Sequence, residues 1–352
     1  MHDKLWEPLS VGELKLEHRL VMAPMTRSRS TPEGVPTALN ATYYGQRAAD
    51  AAMIISEGTQ PSADGQGYLM TPGIYTEDQV EGWRRIIEAV HAEGGKMFIQ
   101  LMHVGRMGHP SNTPHGRTAV APSAVQPAGS IVTKAGLVEI PTPRALDSEE
   151  IDAVVAEYRH AARCAIDAGA DGVEIHGANG YLVHQFLAPN TNVRTDDYGG
   201  SVENRARFAY EVAQAVSEEI GAGRTGIRLA PGNPFNDMHE PDPREQYVYL
   251  TERLAGLDLA YIHLSHTGDE ETVAALRAVW PNVLVINRGR AELSARLADL
   301  DSGLADAITV GALHIANPDL ATRLKNGLDL NTPNPETFYG GDEHGYTDYP
   351  SL

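Results

Sequence analysis

The chain has 352 residues, 42% of them apolar and 21% charged, a composition typical of a globular protein with enough apolar material for a core. Its formal net charge of −19 would repel a phosphate backbone, and no block of lysine and arginine makes a local exception, so we expect no nucleic-acid partner. The single cysteine, Cys164, excludes an internal disulfide and falls in an amphipathic helical pattern that predicts its burial.

The N-terminal stretch MHDKLWEPLSVGELKLEHRL has no basic segment followed by an apolar core, as a signal peptide would have. Nowhere do eighteen apolar residues follow one another, as a membrane-spanning helix would require. We therefore expect a cytoplasmic protein with no membrane partner.

Eight short apolar runs, rich in β-branched residues, recur along the chain and predict eight strands. In chain order they are RLVMAP at 19, AAMIISEG at 51, KMFIQL at 96, DGVEIH at 171, TGIRLA at 225, AYIHLS at 260, VLVIN at 283 and AITVG at 307. Helical patterns lie between them. One of these, SEEIDAVVAEYRHAARCAIDAGA, is expected to begin at Ser148 as its cap and to end at Gly169.

Eight repeats of strand and helix predict an α/β fold, a (β/α)8 TIM barrel, as a single domain over residues 1–352. A doubly wound open sheet is the competing architecture, but it expects a glycine-rich fingerprint after the first strand, and VMAPMTRSRS is not one. The interruption at about residues 103–146, after the third strand, is rich in Pro, Gly and Ser. It predicts a small β-hairpin that caps one barrel end.

Side chains alternate along a strand, so the two apolar residues of GVEIH share one face while Glu174 and His176 share the other. The apolar face suits the helix layer. Glu174 and His176 would then point into the barrel, with His176 at the C-terminal rim where barrel enzymes place their active sites. The same alternation directs Gln100 and Arg228 inward.

An unpaired buried polar group costs about 1–3 kcal/mol, so these inward side chains need partners. Arg228 could pair with Glu174, or a polar ligand could occupy the barrel mouth. The second interpretation gains weight because four strands direct hydrogen-bonding groups to one rim: Thr26, Gln100, His176 and Arg228. His176 and Asn179 could then donate to an oxygen and Tyr181 could supply a proton, although a core histidine and a packing tyrosine would fit equally well.

Several segments also match the pattern of a known family. They are APMTRSRS at 23, ISEGTQ at 55, GYLMTPGIYT at 67, FIQLMHVGR at 98, VEIHGANGYLVHQFLAPNTNVRTDDYGGSVENRARF at 173, IRLAP at 227, ANPDLATRL at 316 and GYTDYP at 345. The chain resembles the old yellow enzyme family of FMN-dependent ene-reductases over nearly its whole length. The long central segment makes the resemblance specific.

The resemblance implies that FMN lies at the C-terminal mouth of the barrel. Pro24, Thr26, Gly58 and Gln100 would line the flavin, with Thr26 near its C4 oxygen and Gln100 on its pyrimidine edge. Arg228 would sit beside N1 and the C2 oxygen and stabilise the negative charge that reduction places there.

The resemblance also implies roles at the substrate. His176 and Asn179 would hydrogen-bond the carbonyl or nitro oxygen of an activated alkene, and Tyr181 would protonate its α carbon after hydride transfer from flavin N5. Tyr68 and Tyr346 would form walls of the substrate pocket.

In the family a nicotinamide cofactor, NADPH or NADH, reduces FMN and leaves before the alkene enters the same place. One site would thus serve both partners, in a monomer or a homodimer. Two alternatives stay open: a redox-neutral isomerase or oxidase on the same flavin fold in a biosynthetic pathway, and a flavin-free binding or scaffold protein. No metal site is expected, because no pair of histidines has ligand spacing.

The chain departs from the family at the phosphate end of the flavin. Where the family has Gly-Arg after the eighth strand, this chain has Gly311 and Ala312. Barrels bind phosphates with the loops after strands seven and eight, so we expect Arg288 or Arg290 to bind the phosphate. Backbone N–H groups of Gly289 and Gly311 would assist.

Three further expectations concern single positions. Met102 replaces a tryptophan that many relatives carry, and it should reshape the substrate site as a flexible thioether. Asn179 stands where a large branch of the family has a second histidine, which changes ligand preference while keeping a hydrogen-bond donor. Glu174 is expected to brace Arg228 beneath the flavin.

Overall fold

The computed structural model describes residues 3–266, 269–289 and 291–352. Its strands are β1 (Leu9–Val11), β2 (Leu14–Leu16), β3 (Leu20–Met22), β4 (Ile54–Ile55), β5 (Met97–Leu101), β6 (Val120–Ala121), β7 (Ser130–Thr133), β8 (Gly136–Glu139), β9 (Arg144–Ala145), β10 (Gly172–Gly177), β11 (Thr225–Leu229), β12 (Tyr261–Ser265), β13 (Val283–Asn287) and β14 (Ala307–Val310). Strands β3, β4, β5, β10, β11, β12, β13 and β14 pair in parallel and close a barrel. They are the eight predicted strands, so the barrel prediction is confirmed.

The helices follow the strands as the sequence pattern predicts. They are α1 (Ala38–Ala48), α2 (Glu77–Ala92), α3 (Ser148–Asp167), α4 (Leu182–Leu187), α5 (Val202–Ile220), α6 (Pro243–Ala255), α7 (Glu270–Val279), α8 (Leu293–Ser302), α9 (Ala312–Ala316) and α10 (Leu320–Asn326). The predicted cap of α3 is wrong by one residue, because the Asp147 carboxylate, not Ser148, accepts the N–H of Glu150. None of the described helices has the length and apolar character needed to cross a membrane.

The segment between β5 and α3 contains four short strands. Strands β7 and β8 form an antiparallel hairpin in which Ser130 pairs with Glu139. Ile131 of this hairpin packs with Met102, Met107 and Tyr181 in one apolar cluster. The inserted segment therefore contributes to the wall above the barrel mouth.

The barrel interior has an apolar lower layer and a polar upper layer. Inward side chains near the strand starts, among them Val21, Phe98 and Tyr261, pack on the hairpin of β1 and β2, which closes the N-terminal end. The outward residues of β10 pack into the helix layer, as the alternation predicts. Because water is excluded from below, the polar groups above this layer must find partners inside the barrel or at its mouth.

We expect Phe98→Ala to destabilise the protein by about 3–5 kcal/mol, because it leaves a cavity in the lower layer. Phe98 is fully buried, and its ring lies 5.6 Å from that of Tyr261. Urea unfolding followed by circular dichroism measures the change. The control is Leu137→Ala at an exposed position, whose unfolding midpoint should not move. Equal effects of the two variants would contradict the role of this layer.

Candidate active site

A cavity of about 670 Å³ opens at the C-terminal mouth of the barrel. Its lining residues come from the loops after several strands and from the β7–β8 hairpin, and they include Thr26, Ser28, Tyr68, Met70, Met107, Ile131, Tyr181, Phe235, Asn236 and Tyr339. Thr26, Tyr68 and Tyr181 were predicted at this place from the sequence. The lining is mostly apolar, as expected for a small-molecule site with a few oriented polar groups.

His176 ends strand β10 and is almost fully buried. Its Nδ1 accepts the backbone N–H of Ala178 at 3.3 Å, so in the neutral ring the proton resides on Nε2. Burial, followed by the nearby charge of Arg228, lowers the pKa of His176 well below its usual value. His176 is therefore a neutral imidazole with one N–H donor.

Asn179 has a left-handed backbone with φ of 55°, which asparagine tolerates better than most residues. The side chain of Asn236 donates to its carbonyl oxygen at 2.8 Å and stabilises this turn. The Oδ1 atom of Asn179 accepts from Asn233 Nδ2 at 3.1 Å. The remaining polar atom of the Asn179 side chain is an amide donor.

Tyr181 and Tyr68 face each other across the cavity. The Tyr181 hydroxyl donates to that of Tyr68 at 3.2 Å, and its ring meets the edge of His176 at 5.0 Å between centroids. Burial raises the pKa of Tyr181 and raises that of Tyr68 well above its usual value. Both phenols are protonated at neutral pH, so Tyr181 can act as a proton donor.

The carboxylate of Glu174 lies inside the barrel and is fully buried. It accepts hydrogen bonds from Gln100 Nε2 at 2.7 Å, His263 Nδ1 at 2.9 Å and the Tyr261 hydroxyl at 3.1 Å. Burial alone would raise the pKa of Glu174, but the attraction of His263, Arg228 and Gln100 brings it below its usual value. Three donors thus keep this carboxylate ionised.

The expected brace between Glu174 and Arg228 involves no direct hydrogen bond, because the hydrogen bonds of Glu174 come from the three donors just named, and its effect on the flavin stays a prediction. Arg228 feels its charge only at a distance. The Nε atom of Arg228 is buried and has no hydrogen-bond partner among the described residues. A buried guanidinium with an unused donor is costly unless a ligand accepts from it.

The residues at the mouth fit a flavin. Arg228 offers the unused donor, while Pro24 and Thr26 follow strand β3 at the rim. Gly58 follows strand β4 and is buried, and a Cβ there would lie 2.4 Å from the Met102 Sδ atom. A side chain at residue 58 would therefore displace Met102, which packs beside Tyr181.

The structure places Tyr346 away from the cavity, so its predicted role as a pocket wall is wrong. Its ring is fully buried and stacks on Tyr43 at 4.1 Å between centroids. Arg27 and Arg29 lie over the same ring, and Asn40 donates to its hydroxyl. This cluster anchors the C-terminal segment and leaves no ring face for a substrate.

The sequence reasoning missed Phe235 and Tyr339, which line the cavity. Both are large and largely exposed aromatic side chains, with 58% and 69% of their surface accessible. Phe235 lies in the loop after β11 and Tyr339 in the C-terminal segment. Their signal in the sequence is an aromatic residue within a loop rich in Gly, Asn and Pro.

The predicted phosphate role of Arg288 is not supported by its contacts. Its guanidinium binds both oxygens of Asp299 at 2.6 Å and also the carboxylate of Glu270 at 2.8 Å. Two carboxylates already neutralise this cation, so it adds no net attraction for a phosphate. The N–H of Gly289 donates to Asn287 Oδ1, and Arg290 lies outside the described residues.

Two groups remain near the loops after the seventh and eighth strands. Arg296 of helix α8 donates to the carbonyl oxygens of Thr309 and Gly289 and so joins the two loops. Gly311 precedes helix α9, and its predicted role for a backbone N–H stays a prediction.

We expect Arg288→Ala to retain FMN but to unfold at a lower temperature. Asp299 is buried, with 4% of its side chain exposed, and removing its partner leaves an uncompensated charge. The Arg288 guanidinium holds the pKa of Glu270 at about 2, so the stability that Glu270 contributes is present above pH 4.5 and lost toward pH 2. In the variant, this contribution of Glu270 to the pH dependence of stability should be absent.

Thermal unfolding at several pH values and flavin absorbance after gel filtration measure these two effects. Release of FMN by Arg288→Ala without a loss of stability would restore the phosphate role.

The comparisons with known proteins show the family of this chain. A family model described as the NADH:flavin oxidoreductase / NADH oxidase family matches residues 4–331. A probable flavin mononucleotide-dependent alkene reductase of Leishmania infantum is 42% identical, over 99% of this chain and 98% of that protein. The structure of morphinone reductase in complex with tetrahydroNAD is 46% identical, with a TM-score of 0.94 over 99% of this chain and 97% of that one. An old yellow enzyme homologue from Zymomonas mobilis is 39% identical, with a TM-score of 0.96 over 99% and 100% of the two chains.

A parallel barrel with a protonated tyrosine at its mouth, and a buried arginine whose Nε has no hydrogen-bond partner among the described residues, fits a flavin-dependent oxidoreductase. The chain belongs to the NADH:flavin oxidoreductase family, the old yellow enzyme family, which confirms the resemblance. It is an FMN-dependent NAD(P)H oxidoreductase.

Proposed function

We propose that this protein reduces the C=C bond of activated alkenes, namely α,β-unsaturated carbonyls, maleimides and nitroalkenes, with NADPH or NADH as the source of hydride. The observation that carries the proposal is a protonated Tyr181 that lines the cavity, with the ring of the neutral His176 5.0 Å from its own and the amide of Asn179 two residues before it in the chain. FMN, when bound, accepts hydride from the nicotinamide and delivers it to the alkene.

In this proposal the residues around the cavity have different roles. His176 Nε2 and the Asn179 amide donate to the substrate oxygen, which withdraws charge from the C=C bond. One such donor is worth roughly 2.7–4 kcal/mol where negative charge develops. Tyr181 gives its proton to the α carbon, and Tyr68 holds the Tyr181 hydroxyl in place through their hydrogen bond.

Arg228 and Gln100 would hold the pyrimidine end of the flavin, and Thr26, Pro24 and Gly58 would line it. The buried positive charge of Arg228 stabilises negative charge near its unused Nε donor. Tight binding of FMN, a cytoplasmic location and a monomeric or homodimeric state stay predictions.

The apolar lining supports a substrate with a polar group at one end and a hydrocarbon body. Membership of a flavin oxidoreductase family disfavours a flavin-free scaffold. Anaerobic mixing of the yellow holoenzyme with NADPH and NADH separately, followed by a panel of activated alkenes, tests the proposal. Flavin reduction without reoxidation by any alkene would overturn it and favour the isomerase or oxidase.

We expect Tyr181→Phe to slow alkene reduction by about 100-fold or more, because general acids contribute on this scale. Reduction of FMN by NADPH should be unchanged, since that step needs no proton from the phenol. Stopped-flow absorbance at the flavin band separates the two half-reactions. The control is Tyr249→Phe on helix α6, away from the cavity, and equal slowing of both half-reactions would contradict the role.

The alkene half-reaction should be independent of pH between about 6.5 and 10, the ordinary pKa values of imidazole and phenol. Because the pKa of His176 is lowered, its imidazole is neutral at every pH above the ordinary imidazole pKa. Because the pKa of Tyr181 is raised, its phenol keeps its proton at every pH below the ordinary phenol pKa. Rate constants from stopped flow across this range test the point. A titration of the rate inside the range that vanishes in Tyr181→Phe would contradict it.

A further inference from the structure

The direction of the Asn179 amide follows from a chain of three hydrogen-bonding groups. The backbone N–H of Phe235 donates to Asn233 Oδ1 at 3.0 Å. A backbone N–H can only donate, so the oxygen of Asn233 must face it. The Nδ2 group of Asn233 then faces Asn179 and donates to its Oδ1 at 3.1 Å. The oxygen of Asn179 is thereby engaged, and its NH2 group is left as the free end.

The loop that presents Asn233 is held from two sides. Arg106 donates to the carbonyl oxygens of Asn236 at 3.1 Å and Asp237 at 2.8 Å. The buried carboxylate of Glu240 accepts the N–H of Gly232 at 2.9 Å and contacts His184 Nε2 at 3.1 Å. These contacts fix the backbone on both sides of Asn233, so its side chain has a defined position.

We infer that Asn233 is a positioning residue that locks Asn179 as a donor and so selects substrates whose oxygen only accepts hydrogen bonds. The inference rests on the proposed function, in which Asn179 binds the substrate oxygen. A free asparagine side chain could turn its amide by half a rotation and present Oδ1 instead. Asn233 opposes that turn, because its own NH2 group would then meet the NH2 group of Asn179.

The two ligands of the site differ in what they require from Asn179. A ketone or nitro oxygen can only accept, so a reversed Asn179 would place two acceptors against each other. The carboxamide of nicotinamide carries both an acceptor and a donor. It could keep its oxygen on His176 and give its N–H to the reversed Asn179. Reversal of Asn179 should therefore weaken ketone binding and spare the nicotinamide.

The variant Asn233→Asp performs this reversal. Its carboxylate still accepts the N–H of Phe235 but has no donor for Asn179, whose NH2 group would turn toward it. We expect the holoenzyme to bind cyclohexanone, a saturated ketone, about tenfold or more weakly, as expected when a buried hydrogen bond is replaced by opposed acceptors. Binding of tetrahydroNADPH should change by less than about twofold, because its carboxamide can adapt. Titrations followed by the flavin absorption band give both dissociation constants.

Stopped-flow kinetics supply a second readout with the same contrast. In Asn233→Asp, reoxidation of the reduced holoenzyme by cyclohexenone should slow in parallel with the loss of ketone affinity. Reduction of the same holoenzyme by NADPH should not slow. In an Asn179→Ala background, Asn233→Asp should have no further effect on cyclohexanone affinity, since the group it turns is gone.

A matched control tests whether a looser loop alone explains the result. Asn190 donates to the Asp237 carbonyl at 2.9 Å and accepts the N–H of His239 at 3.0 Å. Asn190→Asp removes one donor to the same loop without touching Asn233. Its affinities for both probes should match the wild type.

Each outcome decides between the two proposals. If the wild-type holoenzyme binds no cyclohexanone and reduces no alkene, the proposed function fails. If the wild type does both, and Asn233→Asp either weakens the binding of both probes equally or changes the binding of neither, the positioning role fails. Equal effects of Asn190→Asp and Asn233→Asp would also overturn it.

Discussion

The buried carboxylate of Glu174 is the constraint on which the upper half of the barrel depends. A charge in this position is tolerable only when several donors satisfy it. Gln100, Tyr261 and His263 supply these donors from strands β5 and β12 on either side of β10 and β11. His263 in turn bonds Thr309 on the far side of the barrel, at 2.9 Å. One carboxylate thus joins β5, β10, β12 and β14 in a single polar layer.

Arg228 differs from the three donors of this layer, because it does not hydrogen-bond Glu174. Glu174 forms no hydrogen bond with Arg228, but its negative charge favours the charged form of Arg228. The guanidinium is therefore stabilised by a nearby charge, while its buried Nε has no hydrogen-bond partner among the described residues. Because other groups satisfy Glu174, the barrel interior is stable and the positive charge of Arg228 is available to a flavin.

The outer wall of the site depends on loops that are fixed by distant contacts. Arg27 donates to the carbonyl oxygens of Phe338 and Gly345, and the N–H of Gly340 donates to the carbonyl oxygen of Arg27. The stacked pair of Tyr43 and Tyr346 completes this anchor. Such contacts place Tyr339 at the cavity, just as Arg106 and Glu240 place Asn233 and Phe235. The hydrogen-bonding direction of the site is thus decided by the scaffold.

The eight strands, the barrel and the inward direction of Gln100, His176 and Arg228 can all be predicted from the sequence alone. These follow from alternation along a strand, which is a local property, and from the repeat of strand and helix. The resemblance then supplied the cofactor class. The sequence could not show the partners of Glu174 or Arg288, because each depends on which polar groups from distant parts of the chain lie within hydrogen-bonding distance.

Which aromatic side chains line the cavity, and which way the Asn179 amide points, depend on contacts between distant parts of the folded chain. Tyr339 and Tyr346 are seven positions apart in one irregular segment, and nothing local distinguishes a buried ring from an exposed one there. Asn179 and Asn233 are 54 positions apart, and their amides are oriented by a backbone N–H at Phe235. Alternation is a property of neighbours in the chain, whereas the direction of a hydrogen bond is a property of neighbours in space.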